Sequence, residues 1–547
     1  MSKLTKLSIA ASVALTSLAH AQVAPDAGRA LQQEQPPLQP PRPSAPLSIT
    51  GPMATKPAPG GMTVPLKTVA FHGNTIFTDA ELAAAVADAI GRPLDLAGLW
   101  EVANLVSEHY RRAGYPFARA YLPPQPVSDG RLQVEVVEGR YGRIQPEGDE
   151  QLFAGTRRFL SSLQPGGVIE SRALERATLL LDDQPGIKAV PVIRPGQELG
   201  TGDLNVRVTR ERTVSGEVGL DNHGNRYNGE YRARADLQAD SPFLFGDQVQ
   251  FHGLLTDEHL WLGSLSYSLP LGASGLRGQV GYAHTYYELG KQFAVLDATG
   301  TAKVTTAGLS YPLLRSQRAN ATVALNYQHK DLEDRKGATG TTDDKYSDSL
   351  PLGLQFDFRD SLGGGAVTFG TATWTPGRLH LDSNQKAIDQ TTARKNGDFS
   401  KFNLDIGRLQ ALPAGFTAYG RLSGQWADGN LDSSEGFGLG GPNGVRAYPV
   451  GEGYGDKGWL AQVELRYALG AFAPYAFYDA GAVRINAKPW TPASNQRDIA
   501  GAGLGLRFQE GPWNGNIAVA WRTEGGRSQS DTLQRDPMVW VTVGYRL

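Results

Sequence analysis

The chain has 547 residues, enough by length for several domains, and 53 Lys plus Arg against 55 Asp plus Glu leave a formal charge of −2. That balance, with no basic run or aromatic-basic patch, excludes a nucleic-acid binder. No cysteine is present, which excludes a disulfide framework, a thiolate metal site and a cysteine nucleophile, while 66 glycines in 547 residues, about 12% against a usual ~7%, point to many turns and glycine-bearing strands.

Residues 1–21 read as a cleaved secretory signal: Lys3 and Lys6 in a charged start, an apolar run from Leu7 to Ala19, and an Ala19-His20-Ala21 cleavage site. No later apolar run approaches the ~20 residues of a spanning helix, so any membrane crossing must use strands. Residues 22–61 are dense in Pro and Gln, as in Gln35-Pro36-Pro37-Leu38, and predict an extended linker in which Asp26 to Glu34 could form one short helix.

Residues 62–140 predict a β-α-α-β-β module. Lys67 to Phe71 reads as a strand, Gly73-Asn74 as a turn, and Thr78-Asp79-Ala80-Glu81 as a capping box opening a helix with Leu82, Val86 and Ile90 on one face, stopped by Gly91. A second helix carries Leu99, Val102, Ala103, Val106 and Tyr110 and ends near Gly114. Strands follow at Phe117 to Leu122 and Arg131 to Glu138. Residues 141–210 repeat the order, with helices at Gln151 to Leu163 and Ser171 to Asp182 and strands at Ile187 to Ile193 and Leu204 to Val208.

From residue 211 to 547 helical periodicity is lost and sixteen short alternating segments follow. In one of them Trp459, Ala461, Val463, Leu465 and Tyr467 share one face and Gln462, Glu464 and Arg466 the other. Apolar faces ended by aromatics, with a polar opposite face, predict lipid-facing strands around a wet lumen. Connections after even-numbered segments are short, as at Leu469 to Ala471. Those after odd-numbered ones are often long and polar, as at Asp331 to Asp348, Thr375 to Asp398 and Arg522 to Pro537. A soluble β-sandwich would not segregate loop lengths in this way. The fold class is therefore mainly β: a sixteen-stranded antiparallel transmembrane barrel behind two small α+β domains, with short turns and both modules in the periplasm.

One connection, 427–458, stands apart. Between Gly438 and Gly458 it is rich in Gly and Pro yet carries Val445, Tyr448 and a single Arg446, an odd mixture for a solvated loop. On the thirteenth segment Phe477, Asp479 and Gly481 share the inward face.

Together these features resemble the TpsB family, the ShlB/FhaC/HecB-type outer-membrane transporters of two-partner secretion with POTRA modules and a sixteen-stranded barrel. Val445-Arg446-Ala447-Tyr448 is similar to the family's V-R-G-Y loop motif, and Phe477-Tyr478-Asp479-Ala480-Gly481 to its F-x-D-x-G wall motif. Tyr110 to Pro116 resembles the end of the second helix of the family's first POTRA module. The resemblance implies that the loop folds into the lumen, where Arg446 latches onto Asp479. It implies a partner, a secreted TpsA-type exoprotein recognised through its N-terminal secretion domain and passed unfolded to the surface without ATP. It also implies contact with outer-membrane lipid, help from the barrel-assembly machinery and periplasmic chaperones during biogenesis, and a monomer that needs no cofactor. Two departures stand out: Ala447 replaces the motif's Gly, a cost if that position needs positive φ, and the chain ends in Leu547 rather than an aromatic.

An assembly insertase shares the modules and the loop motif, and a diffusion porin shares the barrel. Enzymatic readings find no support: there is no Gly-x4-Gly-Lys-Ser/Thr, the nine His lack metal-ligand spacing, and Asp343-Asp344 reads as a solvated outer loop.

Overall fold

In lipid every backbone N–H and C=O needs a partner within the protein, and sixteen antiparallel strands supply one by closing on themselves. The computed structural model describes residues 24–33, 38–41, 57–127 and 129–547; the signal-like segment and most of the Pro-rich stretch lie outside the described residues. Among the described residues, barrel strand 1 (Val214–Asp221) pairs with both strand 2 (Arg232–Asp240) and strand 16 (Met538–Arg546). Strand 8 comes in two pieces, Thr341–Ser349 and Leu352–Asp360, both lying between strand 7 (Ala319–Lys336) and strand 9 (Ala366–Leu381). Pro351, with no N–H to give, sits at the break.

Two expectations need correction here. The stretch from Asp331 to Asp348 is not a loop: strand 7 runs to Lys336, strand 8 starts at Thr341, and Asp343 lies in that strand, paired to Lys336 at 2.9 Å. The eighth segment therefore begins about nine residues before Leu350. Beyond the bilayer a strand needs no apolar outer face, so the alternation fades while the ladder continues. Thr375 to Asp398 likewise contains the end of strand 9, a helix at Ser383–Thr391, and the start of strand 10 (Gly397–Ala411).

Both N-terminal modules build the same sheet, with the last strand in the middle. In the first, Arg131–Val137 lies between Thr68–His72, to which it is parallel, and Arg119–Tyr121, to which it is antiparallel. In the second, Thr201–Arg210 lies between Arg140–Gly148 and Ile187–Pro195. An N-terminal helix, α1 (Ala27–Gln33), precedes them; α2 (Asp79–Ala85) and α3 (Leu96–Arg112) cover the first sheet, and α4 (Phe153–Leu160) and α5 (Ser171–Asp182) the second. The Thr78–Glu81 box closes reciprocally, with Thr78 N–H donating to Glu81 at 2.9 Å and Glu81 N–H to the Thr78 hydroxyl at 3.4 Å. Helix α2 is shorter than the apolar spacing predicts, since a 3₁₀ turn at Ala87–Ala89 carries the chain to Gly91.

The second module is fixed to the barrel floor. Phe245, in the turn after strand 2, packs against Phe159 with ring centroids 5.9 Å apart and fills the space over Gly155, where a Cβ would lie 2.2 Å from its ring. Arg315 clasps Asp183 with two bonds of 2.6 Å, and Arg277 donates to Gln184 at 3.2 Å.

The two modules meet at Glu138, which is 4% exposed. It accepts from the N–H groups of Thr75 (2.5 Å) and Ile76 (2.7 Å), the Thr75 hydroxyl, the Tyr110 hydroxyl (3.0 Å) and Arg140 (3.0 Å). Burial alone would raise its pKa; the Thr75 hydroxyl, the two backbone N–H groups and Tyr110 outweigh that and hold it below the usual carboxylate range. A depressed folded-state pKa contributes stability that is present above about pH 4.3 and is lost as pH falls through the folded value. The protection of the Thr75 and Ile76 amides relative to their intrinsic exchange rates is therefore expected to fall as pH drops through the folded value, and Glu138→Gln should abolish this pH dependence.

Candidate functional site: a loop tip inside the barrel

The connection from strand 11 (Phe416–Ala427) to strand 12 (Lys457–Tyr467) turns into the lumen rather than outward. A two-residue ladder, Phe437-Gly438 against Tyr454-Gly455, forms its neck, and Gly440 bridges Val445 near the tip. Gly441, at φ +113°, allows the reversal that an L side chain would resist. Val445, Arg446, Ala447 and Tyr448 are all buried.

Arg446 meets the wall on several sides. Its Nε donates to Asp479 Oδ2 at 2.8 Å, its Nη2 to Asp479 Oδ1 at 2.7 Å, and its own backbone N–H to Asp479 Oδ2 at 3.1 Å. Its third nitrogen, Nη1, donates to Glu464 Oε1 at 2.6 Å. The guanidinium carbon lies 3.6 Å from the centre of the Phe477 ring, a cation–π contact within a desolvated site. A planar fork with five donors satisfies all these acceptors at once, which an ammonium cannot do. Two unit charges at ~4 Å with an effective dielectric of ~20 attract by about 4 kcal/mol, and desolvation takes back much of that. Removing one partner is the expensive change, at ~3–5 kcal/mol, because the other charge stays buried.

The structure thus brings Val445 to Tyr448 of the loop against the Phe477, Asp479 and Gly481 side of the wall, while Tyr478 faces outward. It adds two residues that the sequence reading did not assign. Alternation puts Glu464 on the inner face; strand register sets it opposite Phe477 on strand 13 (Phe472–Arg484), and it holds Arg466 and Arg507 as well as Arg446. Trp540, on strand 16, donates its indole N–H to the Arg446 carbonyl at 2.7 Å. No local motif marks either residue.

Glycines on the inner wall make room for the tip. A Cβ on Gly501 of strand 14 (Gln496–Glu510) would fall 2.3 Å from the Ala447 Cβ, and one on Gly481 would fall 2.7 Å from Leu439. Gly503 and Gly505 similarly leave space for the Phe477 and Tyr475 rings. Ala447 is not among the positive-φ residues, so the cost anticipated for Ala in place of Gly does not arise; its methyl group occupies the space Gly501 leaves.

Helix α1 shares the lumen. Ala27 N–H donates to Asp334 at 2.9 Å, Arg29 lies 5.1 Å over the Tyr454 ring of the loop neck, and Gln32 donates to the Ser434 carbonyl. A cavity of about 740 Å³ remains beside it, lined in part by Arg29, Lys330, Lys401, Arg421 and Gln425.

Residues 200–508 match the family described as haemolysin secretion/activation protein ShlB/FhaC/HecB, over half of the chain. The chain belongs to the ShlB/FhaC/HecB family. Residues 64–139 separately match the ShlB-type POTRA domain. Relatives include the heme/hemopexin transporter protein HuxB of Haemophilus influenzae (strain 86-028NP), 26% identical over 85% of this chain and 84% of its own. The outer membrane transporter CdiB of Dickeya dadantii (strain 3937) is 24% identical over 91% of this chain and 88% of its own. Among solved structures, CdiB from Escherichia coli shares the fold with a TM-score of 0.75 at 21% identity, covering 92% of this chain and 94% of that one. As a ShlB/FhaC/HecB-family protein the chain is an outer-membrane transporter of the two-partner secretion type, with its POTRA modules in the periplasm.

Gly501→Val should push the tip off the wall, and pairing it with Ala447→Gly should recover part of the fit. The expected readout is protease cleavage within 428–456 in the single variant, reduced in the double; equal resistance in all three proteins would refute the steric role.

Proposed function

We propose that this chain binds one large exoprotein of the TpsA type in the periplasm through its POTRA modules and passes it unfolded through the lumen to the cell surface, without ATP. The observation that carries the reading is the double occupation of the lumen: a loop tip held by a buried charge cluster, and a helix laid against that loop's neck. A pathway wide enough for an unfolded chain requires both to move, so the resting state is closed and the Arg446–Asp479–Glu464 cluster sets the position of the loop. The names of relatives that handle hemopexin or haemolysin support an exported protein as cargo. Exposed sheet edges of the modules suit capture of an extended segment by strand addition, in which main-chain bonds give affinity and side-chain pockets give selectivity.

Arg446→Ala should leave the amount of folded barrel unchanged while lowering export of the co-expressed partner by at least about tenfold, equivalent to ~1.4 kcal/mol; normal export would sink the latch. Deleting Leu66 to Gly139 should abolish recovery of the partner in a pull-down. Depletion of this protein should leave other outer-membrane proteins at normal levels, whereas their general loss would favour an assembly insertase.

A further inference from the structure

Arg446 is not the loop's only buried charge. Six residues on, Glu452 is 1% exposed and belongs to neither sequence motif. Its Oε1 accepts from Arg497 Nε at 2.9 Å and Nη2 at 2.7 Å. Its Oε2 accepts from the Ser528 hydroxyl at 2.9 Å and the backbone N–H groups of Gln529 at 2.9 Å and Ser530 at 2.8 Å. Five donors converge on one carboxylate, and two of them are successive amides of the outer loop 525–537. Arg497 also donates to the carbonyls of Gly525 (2.6 Å) and Arg527 (2.9 Å), and the Tyr448 hydroxyl to those of Glu524 (2.6 Å) and Gly526 (2.9 Å).

That outer loop reaches across the closure of the barrel. Asp531 accepts from Arg226 at 3.3 Å and from the Tyr227 hydroxyl at 3.4 Å, and Arg535 pairs with Glu230, all on the connection between strands 1 and 2. Support is needed there, since the ladder between strands 16 and 1 runs only from Arg546 opposite Glu217 to Thr542 opposite Asp221. Above it the Asn222 side chain stands in for strand, accepting from Val541 N–H at 2.8 Å and donating to the Val539 carbonyl at 2.9 Å.

We infer that Glu452 is a second positioning residue of the inward loop, tying its neck to an outer strap, 525–537, that holds strand 16 to strand 1 on the surface side. The carboxylate organises the strap through its amides, and Arg497 completes the tie from strand 14. Displacing the loop neck thereby slackens the strap and the closure together. The inference rests on the proposed function only in assigning that displacement to export.

The test uses the full-length protein in detergent or nanodiscs. In Glu452→Ala the amides of Gln529 and Ser530 should exchange about tenfold faster or more, while those of strands 12 and 13 keep their protection. Glu452→Gln, which keeps an oxygen for the two amides, should show a smaller rise, and Arg497→Lys should loosen Gly525 to Arg527 as well. Unchanged exchange at 529–530, or equal deprotection throughout the barrel, would overturn the assignment. Planar-bilayer recordings separate it from the gating reading: faster exchange at 529–530 with more frequent opening supports both, and faster exchange with unaltered conductance supports the tie while refuting the loop as gate.

Discussion

An arginine side chain cannot shed its charge in a protein, so burying Arg446 obliges the surrounding wall to supply carboxylates. Much of the barrel's inner surface follows from that obligation. Asp479 and Glu464 come from adjacent strands, Phe477 offers its ring face between them, and Gln462 secures the Gly444 carbonyl at 2.9 Å. Because the charges are desolvated, the cluster contributes less to stability than its short distances suggest. Its effect is to make one loop position much better than any other, since a displaced tip would part Arg446 from Asp479, whereas Glu464 would keep Arg466 and Arg507.

Space inside the barrel is shaped to match. Small residues at Gly481, Gly501, Gly503 and Gly505 form a shallow channel in the wall, and larger side chains from the loop and from Phe477 and Tyr475 fill it. The row of glycines on strand 14 costs strand propensity, and the packed loop compensates for the missing side chains. Helix α1 then rests on a surface the loop neck helps to build, through Tyr454 and Ser434, so the two lumen elements are not independent. Movement of either changes the support of the other.

Outside the membrane the same economy of buried polar groups recurs. Glu138 gathers backbone N–H groups and hydroxyls of the first module and meets the second through Arg140, and Asp183 and Gln184 join the second module to the barrel through Arg315 and Arg277. These contacts, with Phe245 against Phe159, hold the second module to the turns on the periplasmic side of the barrel.

Elements with a strong local period were legible in the sequence: the capping box at Thr78, the apolar face of α3, and the outward residues of strand 12 all appear where spacing predicts them. The hairpin from Asp331 to Asp348 was not, because above the bilayer water accepts polar residues on both faces and periodicity carries no signal. Inward direction of Asp479 followed from alternation alone, and the identity of Arg446 as the loop's cation from composition. What the tertiary structure alone decided was company: that Glu464 and Trp540 reach the tip, that Gly501 makes way for Ala447, and that Glu452 finds Arg497 and the amides of a loop some seventy-six residues away. Such contacts depend on the register and closure of strands far apart in the chain, and a pattern of period two records which face a residue takes but not which neighbour it meets there.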